Sequence, residues 1–277
     1  MRNKLLVTAL GLCLAASAVC ADYFCTWSLY SERTAEQERY EALDADPHAL
    51  YNGYTVEELG SGYEKPVSVF GKTVIDVPLI NQYPELPVGC ESVCAAALLQ
   101  YLGFETDKFD FTDNYLEWDD NFYYDESGNS HGPDPRKVFA GDPYSWGYGC
   151  SDSVLAEAMN RFFAEKDPSY TALALSEHIN SADIEKLIDE GVPVIVWATV
   201  DMKPFNYRKP SEWITDSGET YCWFSNSHTL VLCGYDNNCY YFMDPGDKDE
   251  ITLYMKSSFL NRFEENGFQA VAVKIDE

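Results

Sequence analysis

Apolar and polar positions are unevenly spread along the chain, and the changes in texture mark out its parts. Residues 5–19 form one continuous apolar run, whereas residues 23 to about 65 are polar and aromatic. Within the latter, Ser31 to Ala45 is rich in helix formers and predicts a surface helix ending before Asp46-Pro47. From Pro66, PVSVFGKTVIDVPLI alternates β-branched runs around Gly71, which predicts a hairpin whose second strand ends at Gln82. Next, GCESVCAAALLQYLGF carries Ala and Leu nearly all round, which predicts a buried helix stopped by Gly103. Residues 106–150 read as loop, with many Asp, Asn, Tyr and Gly and the breaker Gly132-Pro133-Asp134-Pro135. Helical patterning resumes over 151–164 and 181–190, with Ser151 and Ser181 as N-caps and Gly191 as a stop. PVIVWATV, HTLVLCGY, CYYFMD and QAVAVKI then predict strands. A buried helix followed by strands and loops is the pattern of an α+β domain. The expected organisation is a leader over 1–21, a variable segment over 22–65 and one mixed domain over 66–277.

The leader fixes the expected compartment. Arg2 and Lys4 precede the apolar run, and small residues lead through Cys20-Ala21 to the polar Asp22. This is the layout of a secretory signal peptide, and it is shorter than the roughly 20 residues that span a bilayer comfortably. The expectation is therefore a secreted or cell-envelope protein. Lipid anchoring at Cys20 is the weaker alternative, because Val19 stands where lipidation favours a smaller residue. Removing the leader takes Cys13 and Cys20 with it and leaves Cys25, Cys90, Cys94, Cys150, Cys222, Cys233 and Cys239. That number is odd, so an oxidising compartment would leave at least one thiol free. No pair has C-x-x-C spacing, and no Cys/His grouping suggests zinc.

Composition then narrows the partners. The chain has 277 residues, is 46% hydrophobic and carries 20 Tyr, 15 Phe and 6 Trp, ample material for a packed core. Its 46 acidic residues against 19 basic ones give a formal charge of −27. Such a surface repels phosphate backbones and anionic lipid, which argues against nucleic acid and membrane partners. There is no phosphate-binding loop of the G-x-x-x-x-G-K-[ST] type, so no nucleotide is expected, and nothing in the chain calls for a cofactor.

The candidate chemistry gathers at Cys90, His228 and Asp244. Cys90 opens the buried helix after the turn Pro87-Val88-Gly89, and a helix N-terminus favours a thiolate. Gly89 removes bulk where a substrate would approach. Glu91 complicates this picture, since a carboxylate beside the thiol opposes its ionisation; its ordinary reading is a first-turn acid that complements the helix dipole. His228 begins a strand that turns at Asn237-Asn238 into CYYFMDPG. If Tyr235 pairs with Cys239 across a three-residue loop, His228 and Asp244 become diagonal neighbours on one face. An Asp there would orient the imidazole and stabilise its cation. Gln82 could join the Cys90 backbone N–H in holding an oxyanion.

Together NQYPELPVGCESVCAAALL, HTLVLCGYD and YYFMDPGD resemble the stand-alone, C39-like branch of the papain-like cysteine peptidases, which is related to the double-glycine leader peptidases of bacteriocin exporters. The resemblance runs from about Val74 to Asp247 and takes in FAGDP, GYG and GVPVIVWATV. It implies a papain-like fold with Cys90 as nucleophile, His228 as base, Asp244 as orienting residue and Gln82 in the oxyanion hole. The exporter relatives carry membrane and ATPase domains that this sequence lacks, so leader cleavage is not carried over.

Other residues carry weaker signals. His131 is an alternative base, and its ordinary reading is a loop histidine; His48 and His178 look incidental. Trp146, Tyr148 and Trp197 could line a substrate groove or simply pack. The acidic stretch 113–126 could bind calcium but lacks EF-hand spacing, so a solvated loop is expected and no metal is assigned. Two classes of function remain: a thiol hydrolase acting on a peptide or protein, and a papain-like binding module at the cell surface without turnover.

Overall fold

The structure, a computed structural model, describes residues 54–276 apart from 177, 178, 180, 206–210 and 247–249. The leader, Cys25, the helix expected over Ser31 to Ala45, His48 and His178 lie outside the described residues.

The described chain opens with α1 (Val56–Leu59), a single turn closed by a reciprocal cap in which the Thr55 hydroxyl accepts the Glu58 N–H and the Glu58 carboxylate accepts the Thr55 N–H. Val56 and Leu59 enter the core, so residues before Pro66 pack on the domain. The hairpin expected around Gly71 is reduced to one bridge, Val69 to Lys72, followed by β1 (Thr73–Val74). Ile75 to Gln82 continue outside any strand, because Pro78 has no N–H to give a ladder.

The buried helix forms as expected. α2 (Cys90–Tyr101) buries every residue from Cys90 to Leu99, as its apolar circumference requires, and Gly103 follows with φ +90°. The stretch read as loop contains more order than its polarity suggests. α3 (Lys108–Asn114) is nucleated by Asp107, whose carboxylate accepts the N–H groups of Phe109 and Asp110. Short strands follow: β2 (Trp118–Asp119), β3 (Tyr123–Tyr124), β4 (Ser130–His131), β5 (Phe139–Gly141) and β6 (Gly147–Gly149). Then come α4 (Asp152–Lys166), β7 (Tyr170–Ala174), α5 (Ser181–Asp189) and β8 (Val194–Thr199). Ser151 is the N-cap residue of α4, although its hydroxyl pairs with Ser153 rather than with a backbone N–H. Ser181 lies one position inside α5, and Gly191 ends it with φ +88°. The chain finishes with β9 (Ser211–Ile214), β10 (Thr220–Trp223), β11 (Ser227–Tyr235), β12 (Cys239–Met243), β13 (Thr252–Met255), α6 (Lys256–Glu265) and β14 (Ala270–Ile275).

The main sheet is antiparallel throughout, in the order β13-β12-β11-β8-β14-β7. Where β8 stops pairing, β1 takes over the same edge of β11 at Gly234 and Tyr235. β8 is buried along its whole length and β11 from His228 to Gly234, so these central strands are covered on both faces. α2 packs against β11, and Cys94 donates its thiol to the Thr229 carbonyl at 3.4 Å. Two smaller sheets, β10-β9-β4-β3 and β2-β5-β6, are built largely from the stretch before α4 and the β9–β10 hairpin. Among the described residues, no helix is long and apolar enough to cross a membrane.

Candidate active site

The nucleophile candidate sits at the first position of α2. Gly89 is the N-cap residue and leaves the α2 N–H groups without a side-chain cap. A Cβ on Gly89 would meet the Leu86 side chain at 3.0 Å, so internal packing also favours the missing bulk at this position. Cys90 is a free, buried thiol, as its proposed chemistry requires. Burial pushes its pKa well up, and the neighbouring Glu91 carboxylate adds to the rise through its charge and a hydrogen bond; Thr229, the residue after His228, opposes it through its backbone and hydroxyl.

The β11–β12 hairpin supplies the other partners. His228 Nε2 lies 2.8 Å from Asp244 Oδ1, with both side chains buried. Asp244 Oδ1 also accepts the Gly246 N–H at 2.8 Å, and Oδ2 accepts the Tyr254 hydroxyl at 3.2 Å. Burial pushes the Asp244 pKa up, but the His228 hydrogen bond and charge, with the Gly246 and Tyr254 donors, outweigh it and leave the carboxyl below its ordinary range. Because the carboxylate only accepts, Nε2 carries the hydrogen, and Nδ1 is the ring nitrogen left to accept a proton.

The turn differs from the expected three-residue loop. Tyr235 pairs with Tyr240, not Cys239, because the Asp236 carboxylate accepts the N–H groups of Asn238 and Cys239 and draws one more residue into the turn. A bulge between Leu232 and Gly234 then restores the phase: Leu232 faces Phe242 and Val231 faces Met243. His228 and Asp244 therefore share a face after all, by a route the spacing did not reveal.

Gln82 is buried and tied to the same corner, its backbone N–H donating to the Pro245 carbonyl at 2.9 Å. Its side-chain amide donates to the Pro87 carbonyl at 3.0 Å, which leaves one N–H of that amide uncommitted.

Glu91 is not the exposed first-turn acid of its ordinary reading. It is 2% exposed, accepts the Cys90 thiol at 3.1 Å through Oε2 and accepts the Cys150 N–H at 3.1 Å through Oε1. Gly149, at φ +143°, packs directly on Oε1, and any Cβ there would also lie 2.9 Å from Trp223. Sequence reasoning passed over this arrangement, whose only signal was the GYG run.

The remaining candidates separate clearly. Tyr148 is half-buried in an aromatic wall with Trp213 (ring centroids 4.6 Å), Trp223 (6.1 Å) and Trp146 (6.2 Å), and Trp223 brings that wall up to Gly149. Trp197 does not belong to this wall. It is 1% exposed and donates its indole N–H to the Cys150 carbonyl at 3.0 Å, so it is a core residue with no surface for substrate. His131 is stacked on Tyr123 and pairs with Asp125 in the four-stranded sheet. Asp125 itself is occupied by Ser127, Asn129 and His131, which organises the acidic stretch as a turn. Among the described residues, no group of three or more acidic, His or Cys side chains is placed to hold a metal.

Comparison with known proteins agrees with this architecture. Residues 74–271 match the model of the Peptidase_C39 like family. The chain is 26% identical over 204 residues to the uncharacterized protein YvpB of Bacillus subtilis strain 168, covering 72% of this chain and 75% of that one. A crystal structure from Bacillus anthracis, provisionally assigned as a C39-like peptidase, superposes with a TM-score of 0.63 at 26% identity, covering 74% of this chain and 99% of the other. The α+β architecture, with a buried helix carrying Cys90 packed on an antiparallel sheet, is shared with that C39-like structure. With its fold, its matched span and the order of its motifs in agreement, the chain belongs to the C39-like peptidase family.

Proposed function

We propose that this chain is an exported cysteine peptidase that cleaves a peptide or related amide bond through an acyl-enzyme. The observation that carries the reading is the buried His228–Asp244 pair at 2.8 Å, on the strand whose next residue, Thr229, lies against Cys90. Cys90 gives its proton to His228 Nδ1 and attacks the carbonyl carbon. The tetrahedral oxyanion is held by the Cys90 N–H at the start of α2 and by the uncommitted Gln82 amide hydrogen. The imidazolium returns the proton to the leaving amine, and water then releases the acid by the same base. Asp244 holds the ring in the tautomer that leaves Nδ1 open and stabilises its cation. Tyr148 and its aromatic neighbours line one side of the substrate path.

Export rests on the leader over 1–21, and the disulfide-bonded Cys222 supports an oxidising compartment. Mass analysis of the protein recovered from its native host decides this, since cleavage gives Asp22 as the first residue and lipidation gives a modified Cys20.

The Glu91–Cys90 contact favours a second reading, a binding module whose thiol stays protonated. A thiol-directed electrophile separates the two. The peptidase reading expects Cys90 to be alkylated faster than a model thiol and expects His228→Ala to remove that advantage. Alkylation at the rate of a model thiol, unchanged by His228→Ala, would overturn it.

A further inference from the structure

Glu91 is a buried acid that the proposed reaction does not use, and it touches the reacting sulfur. Its two oxygens are both committed, Oε2 to the Cys90 thiol and Oε1 to the Cys150 N–H, each at 3.1 Å. Gly149 lies close against Oε1 and closes that side of the carboxyl, leaving no space there for a side chain. The ionisable groups around it come from every packed element. Cys90 and Cys94 lie on its own helix, Cys150 and Asp152 follow β6, His228 comes from β11 and Asp244 from the end of β12. Among these only His228 can carry a positive charge. A thiolate, an ionised Asp244 and an ionised Glu91 would therefore crowd three negative charges around one imidazolium.

We propose that Glu91 is a positioning residue that acts as a proton lock on the nucleophile: Cys90 can give its proton to His228 only while Glu91 carries one of its own. In the locked state the carboxylate accepts the Sγ–H and the imidazole is neutral. Uptake of one proton from water gives the working state, in which the carboxylic acid donates to the thiolate and the imidazolium faces it. Burial supports this by raising the Glu91 pKa, which moves the lock toward neutral pH. The geometry carries it, since a neutral carboxyl is the only form of Glu91 that can hydrogen-bond a thiolate.

The inference rests on the peptidase reading, and the test keeps the two apart. Glu91→Gln preserves both hydrogen bonds, with the amide oxygen facing the Cys150 N–H and the amide nitrogen donating to sulfur, but it cannot ionise. Iodoacetamide labelling of Cys90, read by peptide mass mapping across pH 5–9, is compared in wild type, Glu91→Gln and His228→Ala. Wild-type reactivity is expected to dip as Glu91 ionises. Glu91→Gln is expected to remove the dip and raise the rate at neutral pH by about tenfold, the effect of about one unit in the thiol pKa. A Glu91→Gln profile that superposes on wild type, while His228→Ala lowers the rate, overturns the lock and leaves the peptidase reading standing. A profile unaffected by His228→Ala overturns the peptidase reading itself. If Glu91→Gln does not fold, infrared difference spectra of the wild-type protein decide: acidification should raise a carboxylic C=O band as the S–H band declines. A C=O band that grows with the S–H band unchanged also overturns the lock.

Discussion

The Gln82 N–H donates to the Pro245 carbonyl at 2.9 Å, which pins the approach to the nucleophile's helix onto the turn that carries Asp244. Segments more than 160 positions apart are thereby set in one frame, with His228 bonded to the residue before that proline. Geometry at the site consequently depends on this junction as much as on either element alone.

Side-chain removal at the centre should show strong coupling. Cys90→Ala and His228→Ala are each expected to abolish hydrolysis, and the double variant should be no worse than either. Asp244→Asn should retain more activity, because the base survives without its orienting charge. Gln82→Ala should lower kcat by about 10- to 1,000-fold, the range for one oxyanion donor. Steady-state kinetics on folded variants checks this, and wild-type turnover by His228→Ala would place the base elsewhere.

Acid should weaken the fold through Asp244. Its carboxyl titrates below the ordinary range when folded, so its contribution is fully present above the unfolded value of about 3.9 and is lost as pH falls through the folded value. Urea unfolding of wild type and Asp244→Asn should show a gap that is present above about pH 5 and shrinks as pH falls below about 4. A gap that widens below about pH 4 would contradict the assignment.

Two glycines of positive φ should respond differently to alanine. Gly103 has open space around its missing side chain, so Gly103→Ala meets only the backbone cost of about 1 kcal/mol. Gly149→Ala drives a methyl into Glu91 and Trp223 as well, and should cost about 2–4 kcal/mol. It should also change the alkylation rate of Cys90, whereas Gly103→Ala should not. Chemical denaturation together with labelling measures both.

Tyr148 and Trp197 should separate in kinetics. Tyr148→Ala is expected to raise KM by several-fold with little loss of stability. Trp197→Phe removes a buried donor and strands the Cys150 carbonyl, costing about 1–3 kcal/mol with KM unchanged. Equal KM effects from the two would mean that Trp197 meets substrate.

Much of this was legible from local pattern. The unbroken Ala/Leu circumference from Ala95 to Leu99 can only be buried, and the β-branched runs at 194–199 and 228–235 form adjacent central strands. What escaped depended on long-range packing or on single capping contacts. α3 is too short to show periodicity and exists because Asp107 caps it. Trp197 and Tyr148 look alike in sequence, and only the fold sends one to the core and the other to the aromatic wall. Glu91 lies at a position where acids ordinarily face solvent, and its burial follows from Gly149, 58 positions away, closing over it.

The bulge in β11 acts as a phase reset within the hairpin. Between the turn and the site it absorbs one residue, so the alternation that presents His228 beside Asp244 is counted from Leu232 and not from the loop. Turn and site are thereby uncoupled. A lineage can lengthen or rebuild the loop around Asp236 while the bulge holds the working end in register, whereas losing the extra residue at Cys233 would put His228 and Asp244 on opposite faces of the hairpin.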